Sequence, residues 1–508
     1  MVTSHHGQSK LQFHLQPRGG AGAPTCSRVT VETGRRHAME LETGPGEFRV
    51  TSPSSLKVRY VDICTELQQA VNPYIEHVVQ QADLSAGPLY EGLTLMLNGN
   101  SLDFPVQRLT DSDVIALVHL LHQNSYITGL DLRFNNLSNC GAESIAKFLL
   151  ETSSLIDLNL MCNDIGSNGA EWLAKALQPQ DHDLNVKTSI HQLNKSLKHL
   201  RMNGNKIGNN GGMDFATMLQ LNKTLESLDL ADCDLGIQSL IGLATVLNHN
   251  KSLKAINVGR PLVYTLQEEM TVHMANMLQV NQSLQELHLT KLEMKDFGVQ
   301  QICEQLVKNK ALQFLDLRCN QISCIGAKFL AELLKHNTHL KILDLAANRI
   351  GDDGIVYISE SLRYLNDQLR GLSVTSNGIS GIGLVAFANA LKSNTSLRNV
   401  YIWGNDLDES ASSEFANLLK VGRLNPTQTD VSPYWIDGQV YLAELAHGLQ
   451  MFYYWTPQYG ERNEAACNAS KDLLKEPQSS ISQNIEDLME TSSSSGSDAA
   501  DSLHQLSN

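Results

Sequence analysis

At roughly 150 residues per domain, a chain of 508 residues would hold three or four domains unless it repeats. Hydrophobic residues at 42% against charged residues at 18% exclude wholesale disorder and supply a sizeable core. A formal charge of -15 would repel a polyphosphate, which excludes direct nucleic-acid binding on general electrostatic grounds and favours protein partners.

Residues 1–55 carry six bases against four acids and no apolar run of the kind that opens a secretory signal, so a disordered N-terminal tail is predicted. No uninterrupted apolar stretch reaches eighteen residues, which predicts no membrane span. Nine cysteines are an odd number scattered without paired spacing, the usage of a reduced, intracellular chain. Residues 56–92 are predicted to be a helical N-terminal cap: the stretch from Tyr60 to Ala82, interrupted at Pro73, suits one or two helices shielding the first repeat.

From residue 93 to 422 the chain repeats. The template is L-x-x-L-x-L-x-x-N-x-L/I, and Leu340-x-x-Leu343-x-Leu345-x-x-Asn348-x-Ile350 is a clean copy. Its second leucine falls at Leu95, Leu130, Leu158, Leu200, Leu228, Ile256, Leu287, Leu315, Leu343, Leu372 and Val400; six of the ten spacings are 28 residues. In Leu343-Asp344-Leu345 apolar residues alternate with a polar one, so a short strand turns its leucines to one face and Asp344 to the other. An asparagine then sits where the chain turns, its amide placed to satisfy orphaned backbone groups: Asn135, Asn163, Asn205, Asn320, Asn348, Asn377 and Asn405 form this structural ladder. A helix follows, as in Ala327, Leu330, Ala331 and Leu334, with a glycine recurring at its start (Gly326, Gly354, Gly383). Each helix is predicted to stop at an asparagine (Asn222, Asn250, Asn394 and their counterparts) in the left-handed conformation. Strands stack about 4.8 Å apart whereas helices are about 10 Å thick, so the helices take the outer arc. The predicted fold is α/β: a solenoid of eleven repeats, a horseshoe with a parallel concave sheet and outer helices.

The template breaks in places. Cys233 replaces the ladder asparagine in one repeat, Gly259-Arg260-Pro261 interrupts the next, and Leu292 holds the corresponding position after that, so a local change of curvature is expected across residues 233 to 294. The one 42-residue spacing holds a polar loop insertion, 178–191, whose excision is expected to leave the domain intact, without a large drop in melting temperature. After the last helix, residues 423–460 form a predicted aromatic-rich C-terminal cap. Residues 461–508, with nine acids, three bases and serines 492 to 495, form a predicted disordered acidic tail.

No phosphate-cradling glycine loop, zinc motif or nucleophile–histidine arrangement occurs, so no catalytic residue, cofactor or metal is expected. Binding is expected on the concave positions that flank the strand leucines. There Arg133, Arg201, Asp229, Asp316, Arg318 and Asp344 make a mixed polar strip, and Tyr401 with Trp403 would place exposed aromatics at its end.

The template and its spacing resemble the ribonuclease-inhibitor-like class of leucine-rich repeat proteins. Further stretches, among them LDLADCDLGIQSLIGLATVL, VYIWGNDLDE, IDGQVYLAE and FYYWTPQYGE, resemble one vertebrate family within that class over about residues 60 to 460. The resemblance implies a non-enzymatic protein of germ and stem cells, in cytoplasm and nucleus including the nucleolus, linked to differentiation and pluripotency. Expected partners are proteins, basic or nucleolar ones among them, bound by a monomer without nucleic acid or membrane. Two alternatives stand beside this reading: an inhibitor resembling ribonuclease inhibitor, and a GTPase activator resembling the Ran GTPase-activating protein.

Overall fold

A computed structural model of the protein describes residues 55–85, 92–100, 108–122, 124–178, 194–263, 267–336 and 339–445. Both predicted tails apart from Ser55, the insertion 178–191 apart from Gln178, Asn337 and residues 446–460 lie outside the described residues.

Two helices, α1 (Leu56–Glu66) and α2 (Pro73–Ser85), precede the repeats, and Pro73 opens the second of them, where its missing N–H costs nothing. Strand and helix then alternate: β1 (Leu93–Met96), α3 (Asp111–Leu121), β2 (Ile127–Asp131), α4 (Asn139–Glu151), β3 (Asp157–Asn159), α5 (Ser167–Leu177), β4 (His199–Arg201), α6 (Gly208–Leu221), β5 (Ser227–Asp229), α7 (Ile237–Leu247), β6 (Ala255–Asn257) and α8 (Gln267–Val280). The second half continues with β7 (Glu286–His288), α9 (Lys295–Leu306), β8 (Phe314–Asp316), α10 (Cys324–His336), β9 (Ile342–Asp344), α11 (Gly351–Tyr364), β10 (Gly371–Ser373), α12 (Gly381–Ser393), β11 (Asn399–Tyr401) and α13 (Glu409–Lys420). A hairpin of β12 (Val431–Ile436) and β13 (Gln439–Glu444) follows.

The first eleven strands form one parallel sheet in sequence order. Its register is set by the anchor residues, which pair laterally one to the next from Leu95 with Leu130 to Leu372 with Val400. These anchors and the inward residues of each helix make one continuous core, about half of it leucine. The sheet stays in register through the irregular repeats, with Leu228 on Ile256 and Ile256 on Leu287. The turns keep the backbone of the regular repeats too: Asp232, Arg260 and Lys291 have φ values near +57°, as Phe134, Cys319 and Ala347 do at the same position.

The turn asparagines do what the template requires. Asn348 donates its amide to Leu317 and Leu345 carbonyls at 3.0 and 2.8 Å, and its Oδ1 accepts the Asn320 and Ile322 N–H groups at 2.8 and 3.1 Å. Cys233 keeps half of that job, its Sγ lying 3.1 Å from the Met202 carbonyl.

The helix-ending asparagines correct the expectation of left-handed stops. Asn222 (φ −69°, ψ 132°) and Asn394 (φ −78°, ψ 125°) are extended. Each works through its side chain instead. The Asn222 amide donates to the Leu177 carbonyl at the end of the previous helix, while its Oδ1 accepts the Thr224 and Leu225 N–H groups. Asn250, Asn281, Asn309, Asn366 and Asn394 repeat the bond to the preceding helix. A second ladder thus ties the helix layer together and satisfies helix C-terminal carbonyls that have no partner within their own helix.

The recurring helix glycine is required by close approach. A Cβ on Gly326 would lie 2.6 Å from Ile322 Cγ2 and 2.6 Å from the Asp296 carboxylate. Gly326→Ala is expected to lower stability by about 1–3 kcal/mol through overpacking, read as a fall in the urea unfolding midpoint.

Candidate functional site

Alternation along each strand puts two side chains on the concave face: the residue before the anchor and the one after it. Aspartate and asparagine recur after the anchor for a backbone reason. The side chains of Asp131, Asn159, Asp229, Asn257, Asp316 and Asp344 each accept the N–H two residues on. These are turns closed by a side chain at the strand end, so the acid is built into the repeat before any partner is considered.

Over β7 to β10 the concave side chains are buried among themselves. The Arg318 guanidinium meets Asp316 through two bonds, Nε to Oδ1 at 2.9 Å and Nη2 to Oδ2 at 2.7 Å, and lies 3.3 Å from Asp344. The Thr290 hydroxyl donates to Asp316 at 3.0 Å. His288 stands between Asp316 (3.5 Å) and Glu286 (3.7 Å), edge-on to the Phe314 ring. Asp316 is fully buried and Arg318 is 4% exposed, so the predicted mixed polar strip is here an internal ionic network. Against the cost of burial, Arg318 and His288 hold the Asp316 carboxyl well below the usual carboxylate range. For His288, burial alone would lower the imidazole, but its bonds to Asp316 and Glu286 outweigh it and raise the group above its ordinary value. Burial pushes Asp344 up to about 6, with Arg318 opposing and the Asp316 charge reinforcing the shift.

These shifts fix a pH dependence. Asp344 binds its proton more tightly folded than unfolded, so its contribution to stability falls as pH rises from its ordinary 3.8 to about 6 and is level above that. The contribution of protonated His288 is likewise lost as pH rises through its raised value. Asp344→Asn is therefore expected to make the decline in melting temperature between pH 4 and 6 shallower, by the Asp344 share alone. Scanning both proteins by calorimetry across that window checks this.

Over β2 to β7 the same face is open. A cleft of about 330 Å³ is lined there by Asp157, Asn159, His199, Arg201, Lys254 and Glu286 among others. Asp157 and His199 are 4.0 Å apart and half exposed. Arg201 is exposed, and its charge pulls down on the Asp229 carboxyl, which burial raises.

The predicted positions are thus distributed unevenly. Asp316, Arg318 and Asp344 meet in the buried network; Arg133 is buried 3.0 Å from Asp131 at the other end; Arg201 lines the open cleft, and Asp229 lies within reach of its charge without lining it. Tyr401 departs from its expected exposure: it is 3% exposed, with its hydroxyl accepting from Asn399, because the C-terminal cap closes over the last strand. Trp403 is half buried against the core. Asp157, His199 and Glu286 were not singled out by sequence reasoning, although strand alternation places the residue before each anchor on the same face as the one after it. Among the described residues no group of three or more His, Cys, Asp or Glu side chains is placed to hold a metal ion, and no helix is long and apolar enough to cross a membrane.

Compared with known proteins, the chain matches the Leucine Rich repeat family at residues 123–146, 153–174, 193–216, 221–244, 308–331 and 336–359. It is similar to leucine-rich repeat-containing protein 34 of Homo sapiens, 47% identical over 428 residues, which are 84% of this chain and 89% of the human protein. The Mus musculus protein of the same name is 48% identical over 219 residues, 43% of this chain and 53% of its own length. Among solved structures, an internalin of Listeria monocytogenes aligns over 73% of this chain and 97% of its own, at 15% identity and a TM-score of 0.34.

Proposed function

The chain belongs to the leucine-rich repeat-containing protein 34 family, and from that premise we propose that it is a non-enzymatic scaffold that holds protein partners on its concave face. The observation that carries the reading is the open cleft over β2 to β7, where charged side chains of both signs stand on a rigid sheet beside a sealed network. Such a surface offers pre-positioned polar groups whose loss of freedom on binding is small. Its mixed signs, on a chain of net charge -15, suit partners that are themselves basic overall and patterned locally. The proposed setting is the cytoplasm and nucleus of germ and stem cells, nucleolus included, with an effect on differentiation; the family resemblance supports it.

Proximity labelling in germ cells tests the reading. A chain carrying Arg201→Glu with Asp157→Lys is expected to lose a set of labelled proteins that Lys328→Glu, on the outer helix α10, retains at equal melting temperature. An unchanged set would place the partner surface elsewhere.

A further inference from the structure

We propose that the groove between α13 and the β12–β13 hairpin is the docking site of an aromatic run of this same chain, Phe452-Tyr453-Tyr454-Trp455. The hairpin has two faces. Val431, Pro433 and Trp435 of β12 pair with Glu444, Leu442 and Val440 of β13, and this side packs on α13 at its base, where Val431 and Leu442 are buried. Between hairpin and helix lies a cavity of about 680 Å³, lined by Ala416, Leu419, Val431, Pro433, Trp435 and Val440 among others. Of its apolar wall residues, Trp435 is 64% exposed. Large aromatic surface left in water at a preformed groove marks a site awaiting an apolar occupant.

The occupant is indicated by where the described chain ends. The N–H of Leu445 donates to the Asp430 carbonyl at 2.7 Å, beside the Val431 wall of the groove. From Leu445 to Phe452 is seven residue steps, a reach of about 24 Å at full extension, which covers the groove. Four consecutive aromatics follow at 452–455. A cavity of this size lies in the range, about 300–1,000 Å³, that buries a drug-sized group, and so takes two or three aromatic rings. The Lys420 ammonium at the rim can lie over a ring face, and Ser413 and Ser432 can bond a phenol hydroxyl. So short a tether holds the run at an effective concentration of order millimolar, which outcompetes free partners of similar affinity.

Photocrosslinking of the full chain decides it. With p-benzoylphenylalanine in place of the exposed Asn417, which lines the groove, irradiation in dilute solution is expected to give a crosslink within one chain to residues 446–460, mapped by mass spectrometry. Serine at all four of Phe452, Tyr453, Tyr454 and Trp455 should abolish that crosslink and raise amide exchange at least tenfold across the end of α13 and the hairpin. A crosslink joining two copies of the chain, one mapping elsewhere, none at all, or one that survives the four serines overturns the proposal. An unchanged circular dichroism spectrum confirms that each variant is folded.

Discussion

Replacing Asp316 by alanine is expected to lower stability by about 3–5 kcal/mol. The carboxylate is fully buried and takes donors from Arg318 Nε and Nη2, the Arg318 N–H and the Thr290 hydroxyl, with His288 at 3.5 Å. Without it, the buried guanidinium loses its two-bond carboxylate partner while Asp344 stays at 3.3 Å, and breaking a buried pair by removing one member is what makes such a deletion costly. The sign follows from the depressed carboxyl: the Asp316 contribution is present above its ordinary 3.8 and is lost as pH falls below it. The deficit of Asp316→Ala relative to the unaltered chain should accordingly be full at pH 7 and shrink under strong acid. Urea unfolding at two pH values measures both features. A shape-matched pair, Asp316→Leu with Arg318→Met, should recover much of the loss, because removing both charges also removes their desolvation. If the pair is as unstable as Asp316→Ala, the network is not what holds this part of the sheet.

Much of the fold is legible in the sequence because the repeat carries its own ruler. A leucine every 28 residues sets the lateral pairing of the strands, and the alternation in Leu343-Asp344-Leu345 sets which side chain faces the helices. The ionic network was readable too, had equal positions in successive repeats been treated as lateral neighbours about 4.8 Å apart. His288, Asp316 and Asp344 occupy the same position in three consecutive repeats, so they must meet. Read along the chain they are 28 residues apart and each passes for a solvated charge. The helix-ending asparagines were found by spacing but given the wrong geometry, because the carbonyl they satisfy belongs to the helix one repeat earlier. The cap was the least legible part. No periodicity reaches it, and its two decisive residues, Arg423 and Asp430, work by imitating a repeat that the sequence no longer spells.

That imitation makes Asp430→Ala the second large effect. Within the repeats, the N–H groups at the end of each strand donate to carbonyls of the next: Val374 to Tyr401 and Ser376 to Trp403. The last strand has no following repeat, and the Asp430 carboxylate substitutes, accepting the Ile402 and Trp403 N–H groups at 2.9 Å each and the Thr375 hydroxyl at 3.4 Å. On the helix side Arg423 stands in for the next asparagine, donating to the Leu391, Asn394 and Leu397 carbonyls. Each buried N–H left unpaired costs about 1–3 kcal/mol, so the two that Asp430→Ala orphans should remove about 2–6 kcal/mol. Because each repeat touches only its neighbours, the loss should be local: amide exchange rises in β11 and α13 first and is unchanged in β2 to β5. Burial pushes Asp430 up to about 6, so its proton, too, is held more tightly in the folded chain, and the carboxylate's worth declines as pH rises from 3.8 to about 6. Asp430→Asn separates charge from hydrogen bonding. It keeps one acceptor for two N–H groups, and is expected to fall between the unaltered chain and Asp430→Ala at pH 7. Exchange that rises evenly along all eleven strands after Asp430→Ala would mean that the cap stabilises the solenoid as a whole and does not merely complete its last repeat.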